Sequence, residues 1–284
     1  MQHERVRAGS APYGAPGSVF AGTAPFYASA RPGYPAELID HCARFAAAFP
    51  GRRILDLATG TGAVAIALAE RGVDVLAVDP CAEMLDEARR IASERDVTNV
   101  EWWQGSSYEL PDFDGVCLVT IGDAFHWMIP RAQALAALDE RVVPGGAVAV
   151  LSHRWPSHPK PSWEPLLNRI RGRHLGPSAS AGPTGQASRD EAGSHEDVFR
   201  TSAFAHLTKI TTDYTLDLTV DRLVAWQFSQ AQTSLPVLGE RRQAFEADLR
   251  AALQAWEPTG RFVETSQAHL LIGRRPGEVG EERP

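Results

Sequence analysis

Cysteine is scarce in this chain: Cys42, Cys81 and Cys117 are the only three in 284 residues, and no two form a Cys-x-x-Cys pair. A disulfide framework and a zinc knuckle are excluded as defaults, and a reducing cytoplasm is the expected compartment. No apolar run is long enough to span a bilayer, and the first residues lack the apolar core of a signal peptide. A soluble protein without a membrane partner is therefore expected. Clustered Lys and Arg are missing as well. At a net charge of −7 no stretch can neutralise several phosphates at once, which argues against nucleic acid as a partner. His153, His158 and His174 share no i, i+4 spacing and no carboxylate completes a set, so no metal is expected. No repeat of fixed period occurs.

What is present is ordinary in amount and patterned in order. The 44% hydrophobic and 22% charged shares are those of a globular chain, and the length suits one domain with an elaboration. RRILDLA and VDVLAVD read as strands around the helix AVAIALAERG. AEMLDEARRIASE is an amphipathic helix with Met84, Leu85, Ala88 and Ile91 on one face. NVEWWQG and DGVCLVTIG are further strands, RAQALAALDERV a helix, and VVPGGAVAVLSH another strand. Such alternation implies a parallel sheet covered on both faces.

Residues 1–22 read as a poorly ordered tail, 23–50 as an N-terminal cap segment and 51–155 as the α/β core. Beyond it, 156–260 reads as a helical cap containing the flexible GPSASAGPTGQAS loop and a strand near 206–219, 261–275 as the last strand, and 276–284 as a tail. In the helix before the last strand, Leu238, Phe245, Leu249, Ala252 and Trp256 fall near one face.

The residues ILDLATGTG, 54–62, place a glycine turn at the carboxyl end of the first strand, where open parallel sheets bind ligands. Gly60 and Gly62 let the backbone approach a ligand closely. Asp79, closing the second strand, is placed to accept both hydroxyls of a ribose. The alternative is a strand-to-helix turn that needs glycine for geometry alone. A dinucleotide fingerprint requires a third glycine where Ala65 stands. Asp56, three residues before the turn's first threonine, suits a cation better than a pyrophosphate.

DLATGTG, VDP followed by MLDEA, and VVPGGAVAV resemble the class I S-adenosylmethionine-dependent methyltransferases over roughly residues 50–152. FYASARPGYP at 26–35 and AFHW at 124–127 resemble the trans-aconitate methyltransferase-like small-molecule subfamily. The resemblance implies a Rossmann-like seven-stranded sheet, mostly parallel with the last strand antiparallel, with helices on both faces and an inserted helical cap. Its cofactor is S-adenosyl-L-methionine. Asp56, Ala58, Gly60 and Gly62 would surround the methionine part, Asp79 would take the ribose, Met84 would line the adenine, and Ser106 and Ser107 would flank it. The family usually has Gly-Cys where Ala58 and Thr59 stand and an acid where Ser106 stands; a neutral hydroxyl is the weaker acceptor, so modest cofactor affinity is expected.

Methyl transfer from a sulfonium needs an aligned acceptor held away from water. It needs a general base only where the acceptor must lose a proton. His126 is placed for that base or for a histidine that fixes the loop. Asp123 either orients His126 or binds substrate. Tyr27, Arg31 and Tyr34 lie in a segment able to close over the site, Arg31 taking an acceptor's carboxylate or the cofactor's own, or pairing with a core acid. Trp127, His153, Arg154, Trp155, Trp226, Phe228 and Gln230 are candidates for the acceptor pocket.

The expected activity is methylation of a small organic molecule, oxygen being the favoured atom, by a monomer or homodimer. The Ala- and Arg-rich composition suits a high-GC bacterial source and secondary metabolism. Two alternatives stand beside it: a protein of this fold that binds the cofactor without transferring methyl, and a nicotinamide-dependent oxidoreductase, which Ala65 and Asp56 disfavour.

Overall fold

The computed structural model describes residues 20–113, 115–153, 161–176 and 193–277. The N-terminal tail up to residue 19, Arg154, Trp155, His158 and nearly all of the GPSASAGPTGQAS loop lie outside the described residues.

Five parallel strands form in the expected order: β1 Ile54–Leu57, β2 Val75–Asp79, β3 Val100–Gln104, β4 Val116–Gly122 and β5 Val142–His153. Two long strands, β6 His206–Thr219 and β7 Arg261–Arg274, complete a seven-stranded sheet in the order β3-β2-β1-β4-β5-β7-β6. β7 runs antiparallel to both of its neighbours. The Rossmann-like architecture, with its antiparallel final strand, is thus as expected. The strand order reverses between β1 and β4, and that is where an open sheet leaves a crevice at its carboxyl edge.

Helices cover both faces because each central strand is apolar on both sides. Leu55 and Leu57 of β1 face one core with Phe125, Leu135 and Phe199, while Ile54 faces the other with Leu38, Val64 and Leu68. The helices concerned are α2 Ala36–Ala47, α3 Ala63–Ala69, α4 Ala82–Glu94 and α5 Arg131–Asp139, while α1 Ala24–Ala30 packs on α4 and on the cap. Pro35 and Pro130 stand at the N-caps of α2 and α5, where a missing N–H costs nothing.

A third core belongs to the cap. It joins α6 Glu164–Leu175, α8 Val220–Phe228 and α10 Arg242–Trp256 with the lower ends of β6 and β7. Helices α7 His195–Arg200 and α9 Leu235–Leu238 are short links. Phe245, Leu249 and Leu253 carry the buried face of α10, whereas Trp256 is 53% exposed, contrary to the expected stripe. Trp256 shares the helix face of Phe245 and Leu249 but is the last residue of α10 and stands outside the cap core. Phe228 is buried in this cap core against Phe26 and Phe245 and does not reach the cleft described next. His174 is held by Asp248 at 2.9 Å, also within the cap.

Candidate active site

A cleft of about 630 Å³ opens at the carboxyl ends of β1 and β4, within the size range of small-molecule sites. Two of the residues that follow these strands, Ala58 at φ +57° and Asp123 at φ +48°, adopt the left-handed region. For non-glycine residues that conformation is held only where surrounding structure imposes it, and such strain gathers at functional sites.

The glycine turn forms the floor. Its anchor is Asp56, nearly fully buried, whose carboxylate accepts from Thr59 Oγ1 at 2.5 Å and Thr120 Oγ1 at 2.7 Å. The Ala65 amide, at the start of α3, also donates to it. Burial pushes its pKa up to about 6, against the pull of these donors. Asp56 therefore braces strand, turn and helix together.

The raised value has a stability consequence with a definite sign. Between the ordinary value of an aspartate and about 6, the folded protein binds more protons than the unfolded chain, so this group destabilises most above pH 6. Asp56→Asn is expected to gain in melting temperature relative to wild type at pH 7.5, an advantage that shrinks as pH falls below about 6 and is gone only below the ordinary aspartate value. A difference independent of pH would assign the raised pKa elsewhere.

Above the turn sits Tyr27. A Cβ built on Gly60 meets nothing nearer than the Tyr27 ring, 3.9 Å away, so glycine leaves a cradle there which any side chain would fill. Asp79 lies behind the turn, taking the Gly60 amide on Oδ2 and the Cys81 amide on Oδ1, each at 2.8 Å. Burial raises its pKa while these amides oppose the rise. Each oxygen keeps a second acceptor site for a hydroxyl. Met84 is buried with Cys81 and Ala24, and Phe20 and Tyr27 pack against that group.

Phe20, at the end of the expected tail, makes edge contacts with Tyr27 and Trp127 and so roofs the same side. Ser106 is half-buried, its Oγ accepting from the nearby Tyr108 amide, and Ser107 is buried beside it. Asp79, Met84, Ser106 and Ser107 stand just outside the cleft wall, whereas Asp56, Ala58, Gly60 and Gly62 line it.

The segment after α1 closes the other side. Arg31 donates from Nε to Ser229 Oγ at 3.0 Å and from Nη2 to the Ser229 carbonyl at 3.4 Å. Its guanidinium lies 5.0 Å from the Tyr27 ring centre and 5.9 Å from that of Trp226. It makes no contact ion pair with a described carboxylate; its charge acts through space on Asp123, which is the nearest to the core acid offered for it by the sequence.

Asp123 does not orient His126. It binds three other groups: Tyr34 Oη donates to Oδ2 at 3.0 Å, the His153 amide donates to Oδ1 at 3.0 Å, and His153 Nδ1 lies 2.6 Å from Oδ2. The remaining ring nitrogen of His153 faces the Gly33 carbonyl at 3.2 Å. Both ring nitrogens thus face oxygen atoms of other residues. The Tyr34 ring stacks on His153 with centres 4.3 Å apart. That approach needs Gly122, where a Cβ would come within 2.9 Å of the tyrosine oxygen.

Burial works to raise the Asp123 pKa, but the charge and hydrogen bonds of His153 hold it below the ordinary value. The Tyr34 phenol is pushed well above its own by burial and by Asp123, so it remains a donor. This trio laces the ends of β4 and β5 to the segment that closes the cleft.

His126, in a 3₁₀ turn at Phe125–Trp127, lines the cleft beside Trp127 with no hydrogen-bond partner among the described residues. Burial lowers its pKa; Asp123 opposes this, and Arg131 and Arg31 add to it. The neutral imidazole is the form at pH 7. Tyr214, Gln230 and Gln232 also line the cleft. Tyr214 and Ser229 had no local signal in the sequence, because they arrive from β6 and from the end of α8.

Residues 54–146 match a family model described as a methyltransferase domain. An uncharacterized methyltransferase of Mycobacterium tuberculosis is 40% identical over 126 residues, covering 44% of this chain and 48% of that protein. A demethylmenaquinone methyltransferase of Thermus thermophilus is 39% identical over 112 residues, 38% of this chain and 50% of that one. The chain thus spans about half the length of these curated relatives. Among solved structures, the (4+2)-cyclase SpnF is similar at a TM-score of 0.50 and 16% identity, covering 87% of this chain and 85% of its own, a likeness of fold. Among the described residues no helix is long and apolar enough to cross a membrane, and no cluster of His, Cys, Asp and Glu could hold a metal ion.

Proposed function

We propose that this chain, which carries a class I S-adenosylmethionine-dependent methyltransferase domain, transfers a methyl group to oxygen on a small organic acceptor, with His126 as the general base. One observation carries the reading: the glycine turn with its open cradle and the unpartnered, neutral imidazole of His126 share one cleft at the switch point of the sheet. The trans-aconitate-like subfamily and a place in secondary metabolism are consistent with the sequence and belong to this proposal.

S-adenosylmethionine, when bound, supplies an electrophilic methyl on a sulfonium whose leaving group is a neutral sulfide. The chain's own residues do the rest. The Gly60 cradle and the Tyr27 ring hold the methionine part between them, and Arg31 is the cation for its carboxylate. Asp79 takes the ribose hydroxyls, and Met84, Ser106 and Ser107 border the adenine. Phe20, Tyr27 and Trp127 exclude water from above. His126 accepts the acceptor's hydroxyl proton at whichever ring nitrogen is unprotonated. Tyr34, Trp127, His153 and Trp226 wall the acceptor, His153 through its fixed place beneath Tyr34.

Calorimetric titration with S-adenosylmethionine, S-adenosylhomocysteine and NAD tests the cofactor half of this reading. Binding of the first two and not of NAD is expected; binding of NAD alone would overturn it. Asp79→Ala should weaken S-adenosylmethionine by about 1.5–3 kcal/mol, the worth of hydrogen bonds to a charged acceptor. An unchanged dissociation constant would remove Asp79 from the ribose.

A further inference from the structure

Ser229 caps α8 at its carboxyl end and is fully buried. Its hydroxyl works in both directions: Oγ donates to the Trp226 carbonyl at 2.7 Å and accepts from Arg31 Nε at 3.0 Å, while the Ser229 carbonyl accepts from Arg31 Nη2 at 3.4 Å. The last carbonyls of a helix lack intrahelical donors and carry partial negative charge, so a cation is favoured there. One hydroxyl thus anchors both the cation assigned to the cofactor and the backbone of Trp226, a wall residue of the acceptor side.

The bonding uses one edge of the guanidinium and leaves another. Nε and Nη2 form the edge turned to Ser229. Nη1, with the outer hydrogen of Nη2, forms the end-on pair whose parallel N–H groups match a carboxylate. Nη1 has no hydrogen bond to any described residue, and Arg31 lines the cleft. The end-on pair is therefore the part left for a ligand.

The rest of the side chain is held as well. At its root, Arg222 Nε donates to the Ala30 carbonyl at 3.1 Å, and Phe26 meets Phe228 edge-on with ring centres 5.2 Å apart, so α1 is fixed to α8. At its head, the Tyr27 and Trp226 rings stand 5.0 and 5.9 Å from the guanidinium carbon. Asp123 feels the charge of Arg31 only through space, its own hydrogen bonds going to Tyr34 and His153. An arginine left free in the cleft would lose its rotamer freedom on meeting a ligand, whereas here that ordering is already made by the cap.

We propose that Ser229 is a positioning residue for the methyl donor: by holding the Nε and Nη2 edge, it aims the free end of Arg31 at the carboxylate of the cofactor's methionine part. This rests on the methyltransferase reading of the same cleft, with Arg31 as the cation for that carboxylate. The test titrates the protein by calorimetry with S-adenosylmethionine and with its decarboxylated form, which lacks only the carboxylate.

Wild type is expected to bind S-adenosylmethionine at least about tenfold more tightly than the decarboxylated form, a difference of roughly 1.4 kcal/mol. Ser229→Ala should cut that preference by about fivefold or more, the order of one hydrogen bond, by weakening S-adenosylmethionine alone. Arg31→Lys keeps the charge but not the planar fork that meets Ser229 and a carboxylate together, and should lose the preference as well. Arg31 is half-buried at the cleft, so this variant decides the matter even where Ser229→Ala is unstable. Ser229→Ala added to Arg31→Lys should change nothing further, because the serine acts through the arginine. A preference kept in Ser229→Ala or in Arg31→Lys, equal loss of both ligands in a Ser229→Ala that still melts cooperatively, or a second full loss in the double variant would overturn the proposal alone. A wild type without preference would overturn Arg31 as the cation for the carboxylate and this proposal with it, and failure to bind S-adenosylmethionine at all would overturn the methyltransferase reading as a whole.

Discussion

Replacing His126 by alanine is expected to lower turnover by about 10²-fold or more while the S-adenosylmethionine dissociation constant stays near that of wild type. The imidazole lines the acceptor side of the cleft, has no hydrogen bond to lose among the described residues, and supports no other side chain through one. Its loss should therefore register in chemistry and hardly in folding. The pH profile gives a second check. The active form is the neutral ring, and burial, with the lesser effects of Arg131 and Arg31, keeps the pKa below the ordinary histidine value despite Asp123.

Activity should accordingly be level near neutrality and fall as pH drops through that depressed value, a limb that His126→Ala lacks. Stability carries the same sign. The contribution of the neutral ring is complete above the unfolded histidine value and is lost as pH falls through the folded one. Turnover of the alanine variant close to wild type would make His126 a packing residue of the loop.

The largest stability effect is expected at Asp123. Asp123→Ala leaves Tyr34 Oη and both His153 donors without their acceptor, in surroundings where the side chain of His153 is 15% exposed. Removing one partner from such a pair costs about 3 kcal/mol, and the measurable result is a lower urea midpoint with the slope unchanged. Asp123→Asn keeps one acceptor oxygen but not the carboxylate, and should fall between the two.

The Asp123 pKa is below its ordinary value, so its stabilisation is present above the unfolded aspartate value and disappears as pH falls through the folded one. The gap between wild type and Asp123→Ala should then close in acid. Because the trio ties Gly33 and Tyr34 to the sheet, cofactor affinity should weaken in the same variant. An unfolding midpoint equal to that of wild type would show that the trio adds nothing to the fold.

The sheet was legible because its strands carry their own pattern. β1 and β2 are short apolar runs ended by a turn, and β6 and β7 appear as unbroken strand-like segments. The helices were legible from their apolar periodicity, but the periodicity could not show that Trp256, though in line, stands exposed at the last residue of α10. The glycine turn could be read because a strand, two glycines and a helix follow one another directly between Ile54 and Ala69.

The pairing of the ionisable groups could not be read in this way. His126 stands three residues from Asp123 in sequence, yet the partner is His153, thirty residues on. Parallel pairing of β4 with β5 brings Gly122 opposite Leu151 and so sets the two strand ends side by side.

Arg31 and Arg171 show the same limit more sharply. Arg31 meets Ser229, 198 positions away, and Arg171 meets Gln227 and Gln230 across the packing of α6 against α8. Neither bond leaves a local trace, since any exposed Arg in a helix or loop has the same sequence context. The sequence alone determined the alternation of strands and helices, the cofactor turn and the identity of the candidate base, because each depends on neighbours within one or two turns of chain. Tertiary structure decided which carboxylates are already engaged and which imidazole is left without a hydrogen bond among the described residues, because those pairings are made between segments joined only by the sheet.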